Sequence, residues 1–183
     1  MLNRKKKIIM ILNSSPIITF FQLNLENELT KLFQTGRFSF LIPYVVFDKL
    51  RIETRKFVQK MVNKGIFALY RNKIDTLNSV AKLFPSLGDG ELSVLSAYLE
   101  IKNYLKQDEE AIAIIDEKLA RKRAKELNVK IGGTLFIIIS LVRESFLGKD
   151  QAIRLLQKLP NIGFYINSHL LQELKNKIRR NRF

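Results

Sequence analysis

Asn13, Asp48, Asp89, Glu91, Asp116 and Glu117 are the residues of this chain best placed for chemistry, because each follows a short apolar run or opens a helical one. Asn13 ends the run Ile8 to Leu12, and Asp116 with Glu117 ends the run Ala111 to Ile115. Asp48 lies about one turn into the helical pattern that follows Phe38 to Ile42, while Asp89 and Glu91 sit in the glycine-bounded segment Leu87-Gly88-Asp89-Gly90-Glu91. All six offer hard oxygen donors. Carboxylates brought together repel one another, and a hard cation such as a divalent metal relieves that repulsion. Each residue also has a plain structural use: Asp89 and Asp116 as helix N-caps, Glu91 and Glu117 against a helix dipole, Asp48 as a solvated charge, Asn13 in an Asx-turn. Their joint placement points to a shared pocket, since ligands of open parallel sheets collect at the carboxyl ends of strands.

What the chain lacks excludes other chemistries. Without cysteine there is no disulfide, zinc-thiolate site or thiol nucleophile. The single histidine, His169, lies in a C-terminal helical stretch and reads as an ordinary surface or partly buried residue, against a His-rich metal site or a Ser-His-Asp triad. Gly88-Asp89-Gly90-Glu91 is open to an alternative use as a phosphate loop, although it lacks the Lys and Ser or Thr of a P-loop and the third glycine of a dinucleotide fingerprint.

Lys and Arg outnumber Asp and Glu by 32 to 17, and the resulting charge of +15 draws polyanions from a distance, with nucleic acid the natural partner. Lys118, Arg121, Lys122 and Lys125 concentrate that charge on one helical stretch, either as contacts to a nucleic-acid backbone or as a solvated outer face. Lys175, Lys177, Arg179, Arg180 and Arg182 make a basic tail expected to fray from about residue 175. At the other end, Arg4-Lys5-Lys6-Lys7 before Ile8 to Leu12 mimics a signal-peptide head, but the apolar run stops at Asn13 and reads as a basic lead into a strand. Leu135 to Val142 is far shorter than the roughly 20 residues of a membrane helix. The expectation is a soluble, cytoplasmic protein with no membrane span.

Strand-like and helical stretches alternate along the chain and carry these residues at their ends. Continuous apolar runs at Ile8 to Leu12 and Ala111 to Ile115 predict strands buried on both faces, with further short strands at Phe38 to Ile42, Ile66 to Tyr70 and Val129 to Ile131. Between them the spacing predicts helices opened by Ser15-Pro16, over Glu26 to Phe33, from about Tyr44 to Asn63, over Ile74 to Phe84, from Gly88 to about Leu105, over Lys118 to Leu127, and from Gly132-Gly133-Thr134 to Phe146. From Asp150 the chain reads as helical apart from Phe164 to Ile166. Alternation of this kind predicts a single α/β domain over residues 1–183, with a central, mainly parallel sheet flanked by helices.

With this order in hand, the chain resembles the PIN-domain family, and within it the small prokaryotic VapC-like toxin ribonucleases. The resemblance is carried by Ile11-Leu12-Asn13-Ser14-Ser15-Pro16-Ile17-Ile18, Ile42-Pro43-Tyr44-Val45-Val46-Phe47-Asp48-Lys49-Leu50, Leu87-Gly88-Asp89-Gly90-Glu91 and Ile114-Ile115-Asp116-Glu117-Lys118-Leu119-Ala120-Arg121. Ile131-Gly132-Gly133-Thr134-Leu135 and the tail Leu159 to Leu174, with Gly163-Phe164-Tyr165-Ile166, extend it over nearly the whole chain.

The resemblance implies a PIN-like three-layer fold and a cluster of three or four acids that binds Mg²⁺ or Mn²⁺ and hydrolyses RNA phosphodiesters. It further implies an antitoxin protein as partner and a homodimer. Carried over by position, Asn13 stands first, Asp48 or Lys49 second, Glu91 third and Asp116 fourth, with Glu117 or Thr134 as additional contacts. In that scheme metal ions acidify a bound water and stabilise the attacked phosphate, while the helix carrying Lys118, Arg121, Lys122 and Lys125 holds the RNA backbone. Two departures stand out. Asn13 brings an oxygen but no charge, and Lys49 stands where the stronger second acid is expected, leaving Asp48 about 100° away around its helix. A PIN-like domain that has lost catalysis and serves as an RNA-binding or protein-binding module is the alternative.

Overall fold

The structure, a computed structural model, describes residues 6–180. Arg4 and Lys5 of the basic lead and Arg182 of the tail lie outside the described residues. The chain runs β1 (Lys7–Leu12), α1 (Ser14–Gln22), α2 (Glu26–Gln34), β2 (Phe38–Pro43), α3 (Tyr44–Lys49), α4 (Ile52–Asn63) and β3 (Phe67–Tyr70). It continues through α5 (Ile74–Leu83), α6 (Asp89–Lys102), β4 (Glu109–Ile114), α7 (Lys118–Glu126), β5 (Ile131–Gly132), α8 (Thr134–Arg143) and α9 (Lys149–Lys158). A 3-10 turn (Leu159–Ile162) and α10 (Ser168–Arg180) close it.

The five strands pair in the order β3-β2-β1-β4-β5, all parallel, and helices flank the sheet in a three-layer α/β arrangement. The apolar runs explain why β1 and β4 lie at the centre. Met10, Ile11, Leu12, Ala113 and Ile114 are wholly buried, and each such aliphatic side chain of Ile or Leu size contributes roughly 1.5–3 kcal/mol by leaving water. One buried cluster unites both sides of the sheet. Helix α6 crosses β1, β2 and β4 and is buried almost all round, so Leu92, Val94, Leu95 and Ala97 serve the core together. Its buried Ser93 and Ser96 donate to the carbonyls of Gly90 and Leu92, which removes the cost of hiding two hydroxyls.

Register brings the strand ends into line. Leu12 pairs with Ile114 and Pro43 with Tyr70, so the residues just beyond them share one carboxyl edge of the sheet.

Two local expectations are corrected. The helical pattern from Tyr44 to Asn63 is two helices, because Leu50 and Arg51 are extended, with ψ of 144° and 156°. Leu50 turns its side chain into the core there, and the Arg55 guanidinium bonds the carbonyls of Asp48 and Leu50 that the break leaves over. The fifth strand is Ile131–Gly132, later than Val129 to Ile131. Asn128 adopts a left-handed φ of 54°, and the Val129 amide still bonds Ala124 as part of the helix ending. The basic stretch Lys175 to Arg180 belongs to α10, where Ile178 is fully buried. No helix among the described residues is long and apolar enough to cross a membrane.

Candidate active site

Asn13 follows β1 at the N-cap position of α1, but its side chain makes no cap hydrogen bond. It is 4% exposed, and its Nδ2 donates instead to Glu91 Oε1 at 3.0 Å. Gly90 makes this approach possible: a Cβ there would stand 2.9 Å from Asn13 Oδ1. Glu91 lies in the first turn of α6, whose N-cap is Gly88, and a carboxylate there is favoured by the positive end of the helix dipole.

Asp116 follows Ile115 at the end of β4 and is held by three neutral donors. Its Oδ1 accepts from the Thr134 amide at 2.8 Å, and its Oδ2 accepts from Thr134 Oγ1 at 2.7 Å and from Ser15 Oγ at 3.1 Å. Thr134 is fully buried, so the carboxylate is fixed from behind. Gly133 gives the room, since a Cβ there would stand 2.7 Å from Asp116 Oδ1. Ser15 and Asn13 both belong to the start of α1. The two carboxylates are therefore linked through one short stretch of chain, Glu91 to Asn13 and Ser15 to Asp116.

The remaining sequence candidates are placed differently. Asp48 is exposed at the end of α3, and its carbonyl accepts from Arg55. Lys49 turns to Asp89, Nζ to Oδ2 at 2.5 Å, in a pair whose side chains are 50% and 70% exposed and which is worth at most about 1 kcal/mol. Asp89 opens α6 after its Gly88 N-cap, and Asp116 precedes the α7 cap, so neither is the N-cap its position suggested. Glu117 is that cap: its Oε2 accepts from the Ala120 amide at 2.6 Å. Arg121 points back into the sheet, donating from Nη1 to the carbonyls of Ile115 and Gly132 at 2.8 and 3.0 Å. Lys118, Lys122 and Lys125 are exposed and, with Asp116, line a pocket of about 720 Å³ beside α7.

Among the described residues no group of three or more His, Cys, Asp or Glu comes together to hold an ion. A Mg²⁺-type ion does not need one: it keeps several waters and is commonly held by one or two carboxylates plus substrate phosphates. Glu91 and Asp116 supply two carboxylates; Glu91 Oε1 and Asp116 Oδ1 each accept one hydrogen bond and keep a second lone pair, while Asp116 Oδ2 accepts two. The donors around them, from Asn13, Ser15 and Thr134, are hard oxygens or carry them. The set fits a hard divalent ion with modest charge.

Ser15 and the double contact of Thr134 are the parts of the candidate site that residue type alone does not announce. Ser15 reads as a helix cap. The signal for Thr134 is the pair Gly132-Gly133 before it, which frees space for a carboxylate from the neighbouring strand.

The fold is an all-parallel three-layer α/β arrangement with two carboxylates, Glu91 and Asp116, tethered to the start of α1 at its carboxyl edge. Residues 9–180 match the family model for the PIN domain, and the chain belongs to the PIN-domain family. No curated protein matches the sequence. PIN domains generally depend on divalent metal and typically bind RNA.

Proposed function

We propose that this protein is a divalent-metal-dependent endoribonuclease of toxin type, with Glu91 and Asp116 as the anionic ligands of its site. The observation that carries the reading is the linkage of these carboxylates through Asn13 and Ser15 at the carboxyl edge of a PIN fold. A bound Mg²⁺ or Mn²⁺ would supply an acidified water and charge stabilisation at the attacked phosphate. Within this reading the protein's own groups divide the work. Asp116 is oriented by Thr134 and Ser15, Glu91 is oriented by Asn13, and Lys118, Lys122 and Lys125 draw the phosphate backbone toward the pocket beside Asp116. Asn13 acts here chiefly as a hydrogen-bond donor to Glu91 rather than as a charged ligand. An antitoxin protein covering this edge would silence the enzyme, in keeping with the resemblance to small prokaryotic toxins.

The test is incubation of purified protein with labelled single-stranded and structured RNAs in Mg²⁺, in Mn²⁺ and in EDTA. Cleavage confined to the metal-containing reactions is expected. RNA left intact in both metals, with salt-sensitive binding retained, would favour a second reading: a PIN domain that binds RNA without cutting it. The neutral Asn13 and the Lys49–Asp89 pair are the observations that favour this alternative.

A further inference from the structure

The carboxyl ends of β2 and β3 carry features that the acidic site does not use. Pro43 pairs with Tyr70, so the next residues, Tyr44 and Arg71, stand side by side beyond the sheet. The Arg71 guanidinium lies 5.3 Å from the centroid of the Tyr44 ring, and Tyr44 is 39% exposed although it follows a buried strand. A similar pair lies nearby: Lys73 Nζ is 5.6 Å from the ring of Tyr104, which is 73% exposed.

The segment that presents Arg71 is pinned from beneath. Glu100, a buried acid of α6, accepts from Tyr70 Oη at 2.6 Å and from the Lys73 amide at 3.0 Å, and Asn72 Nδ2 donates to the Ser93 carbonyl at 2.8 Å. Burial and the Glu100 contact hold the Tyr70 hydroxyl above its ordinary pKa, which keeps it a donor. Arg71 and Tyr44 are thus fixed to rigid elements, as a preorganised recognition site requires.

We propose that Tyr44 and Arg71 form a stacking subsite for an unpaired base of single-stranded RNA, next to the acidic site. Neighbouring strands are about 4.8 Å apart, so Tyr44 after β2 stands one strand from Asn13 after β1. An exposed ring joined to a guanidinium offers a π-face for the base and positive charge for its phosphate, and only an unpaired base can reach it. The charge of the chain, +15, suits a polyanion over an acidic-residue-poor protein groove. The proposal deepens the ribonuclease reading and rests on it for RNA as ligand.

The test measures binding by fluorescence anisotropy in EDTA, so that cleavage does not enter. Labelled single-stranded oligoribonucleotides of about eight nucleotides, versions with one abasic position, and a matched duplex are titrated with the full chain and with its Tyr44→Ala and Tyr44→Phe variants. Tyr44→Ala should weaken binding of the single strand about 5- to 100-fold, with an unchanged salt slope, while Tyr44→Phe retains it. One abasic position should weaken binding to the unsubstituted protein but add nothing to Tyr44→Ala. Equal affinity of Tyr44→Ala and the unsubstituted chain overturns the proposal, as does an equal loss on duplex. Absence of all RNA binding overturns it too and leaves this edge to a protein partner. Because no metal is present, a chain that binds in this way but does not cut RNA upholds the subsite while the nuclease reading fails.

Discussion

Asn13 and Glu91, 78 residues apart, meet through a 3.0 Å hydrogen bond from Nδ2 to Oε1 at the carboxyl edge of the sheet. An amide here does what a carboxylate could not do without a cation: it sits against Glu91 with no repulsion. Asn13→Asp should therefore destabilise the protein in EDTA by about 1–3 kcal/mol, since a donor to a charged group is lost and a like charge gained. Excess Mn²⁺ should restore the melting temperature of the variant more than it raises that of the unsubstituted protein. Thermal unfolding in the two conditions checks this, and an EDTA melting temperature unaffected by the substitution would contradict it.

Gly90→Ala places a Cβ 2.9 Å from Asn13 Oδ1 in a packed, buried setting. Asn13 must shift, and Glu91 loses its orientation. Cleavage is expected to fall on the order of 10- to 100-fold, the scale of loss from small misplacements at a site, with binding of RNA retained. Single-turnover kinetics beside anisotropy separate the two effects.

Lys118, Arg121 and Lys122 of α7 should divide into two classes. Arg121→Ala removes the side-chain donor from the Ile115 carbonyl, leaves the Gly132 carbonyl only its bond from the Ile115 amide, and should cost about 1–3 kcal/mol of stability. Lys118→Ala and Lys122→Ala, both at exposed positions, should leave stability within about 0.5 kcal/mol. Each should instead lower the magnitude of the salt slope of RNA binding by about 0.7. Denaturant titrations and binding across a salt series measure both.

Tyr70 gives the pH dependence. Its hydroxyl pKa is raised above the ordinary 10.0 by burial first and by the bond to Glu100 second. Tyrosine is neutral below its pKa, so the folded state holds a proton that the unfolded chain releases above about pH 10. The stability this group contributes should thus be fully present below that pH and be lost as pH rises beyond it. Tyr70→Phe should remove this part of the alkaline loss, while costing roughly 1–3 kcal/mol at neutral pH by leaving buried Glu100 short of a donor. Unfolding free energies at pH 8 and above pH 10 test it (roughly neutral and alkaline arms of the same linkage).

Much of the fold was legible because its strongest signals are local. Ile8 to Leu12 and Ala111 to Ile115 are continuously apolar, as central strands buried on both faces are, and Gly36 and Gly65, both with left-handed φ, stand just beyond the helical patterns that run to Phe33 and Asn63. The break at Leu50 is hidden because both sides keep a helical period, and what interrupts it is the pull of the core on Leu50, with Arg55 five residues on taking up its carbonyl. The site was legible as positions, not as contacts. That Asn13, Glu91 and Asp116 fall at strand ends and a helix start can be read from the chain, whereas the roles of Ser15 and Thr134 depend on α1 and α8 meeting beside β4. Glu117 and Arg121 also have contacts that their residue types do not reveal: Glu117 caps α7, and Arg121 donates to the carbonyls of Ile115 and Gly132.

On the proposed reading Asp116, with Glu91, holds the metal that RNA cleavage requires. Cleavage of a labelled single-stranded RNA in Mn²⁺ is measured for the unsubstituted protein, Asp116→Ala and Asp116→Asn, with thermal unfolding to verify that each is folded. Cleavage by the unsubstituted chain, lost in EDTA and lost in the folded Asp116 variants, is the expected result. Cleavage that persists in EDTA, or that the Asp116 variants retain in full, would contradict it.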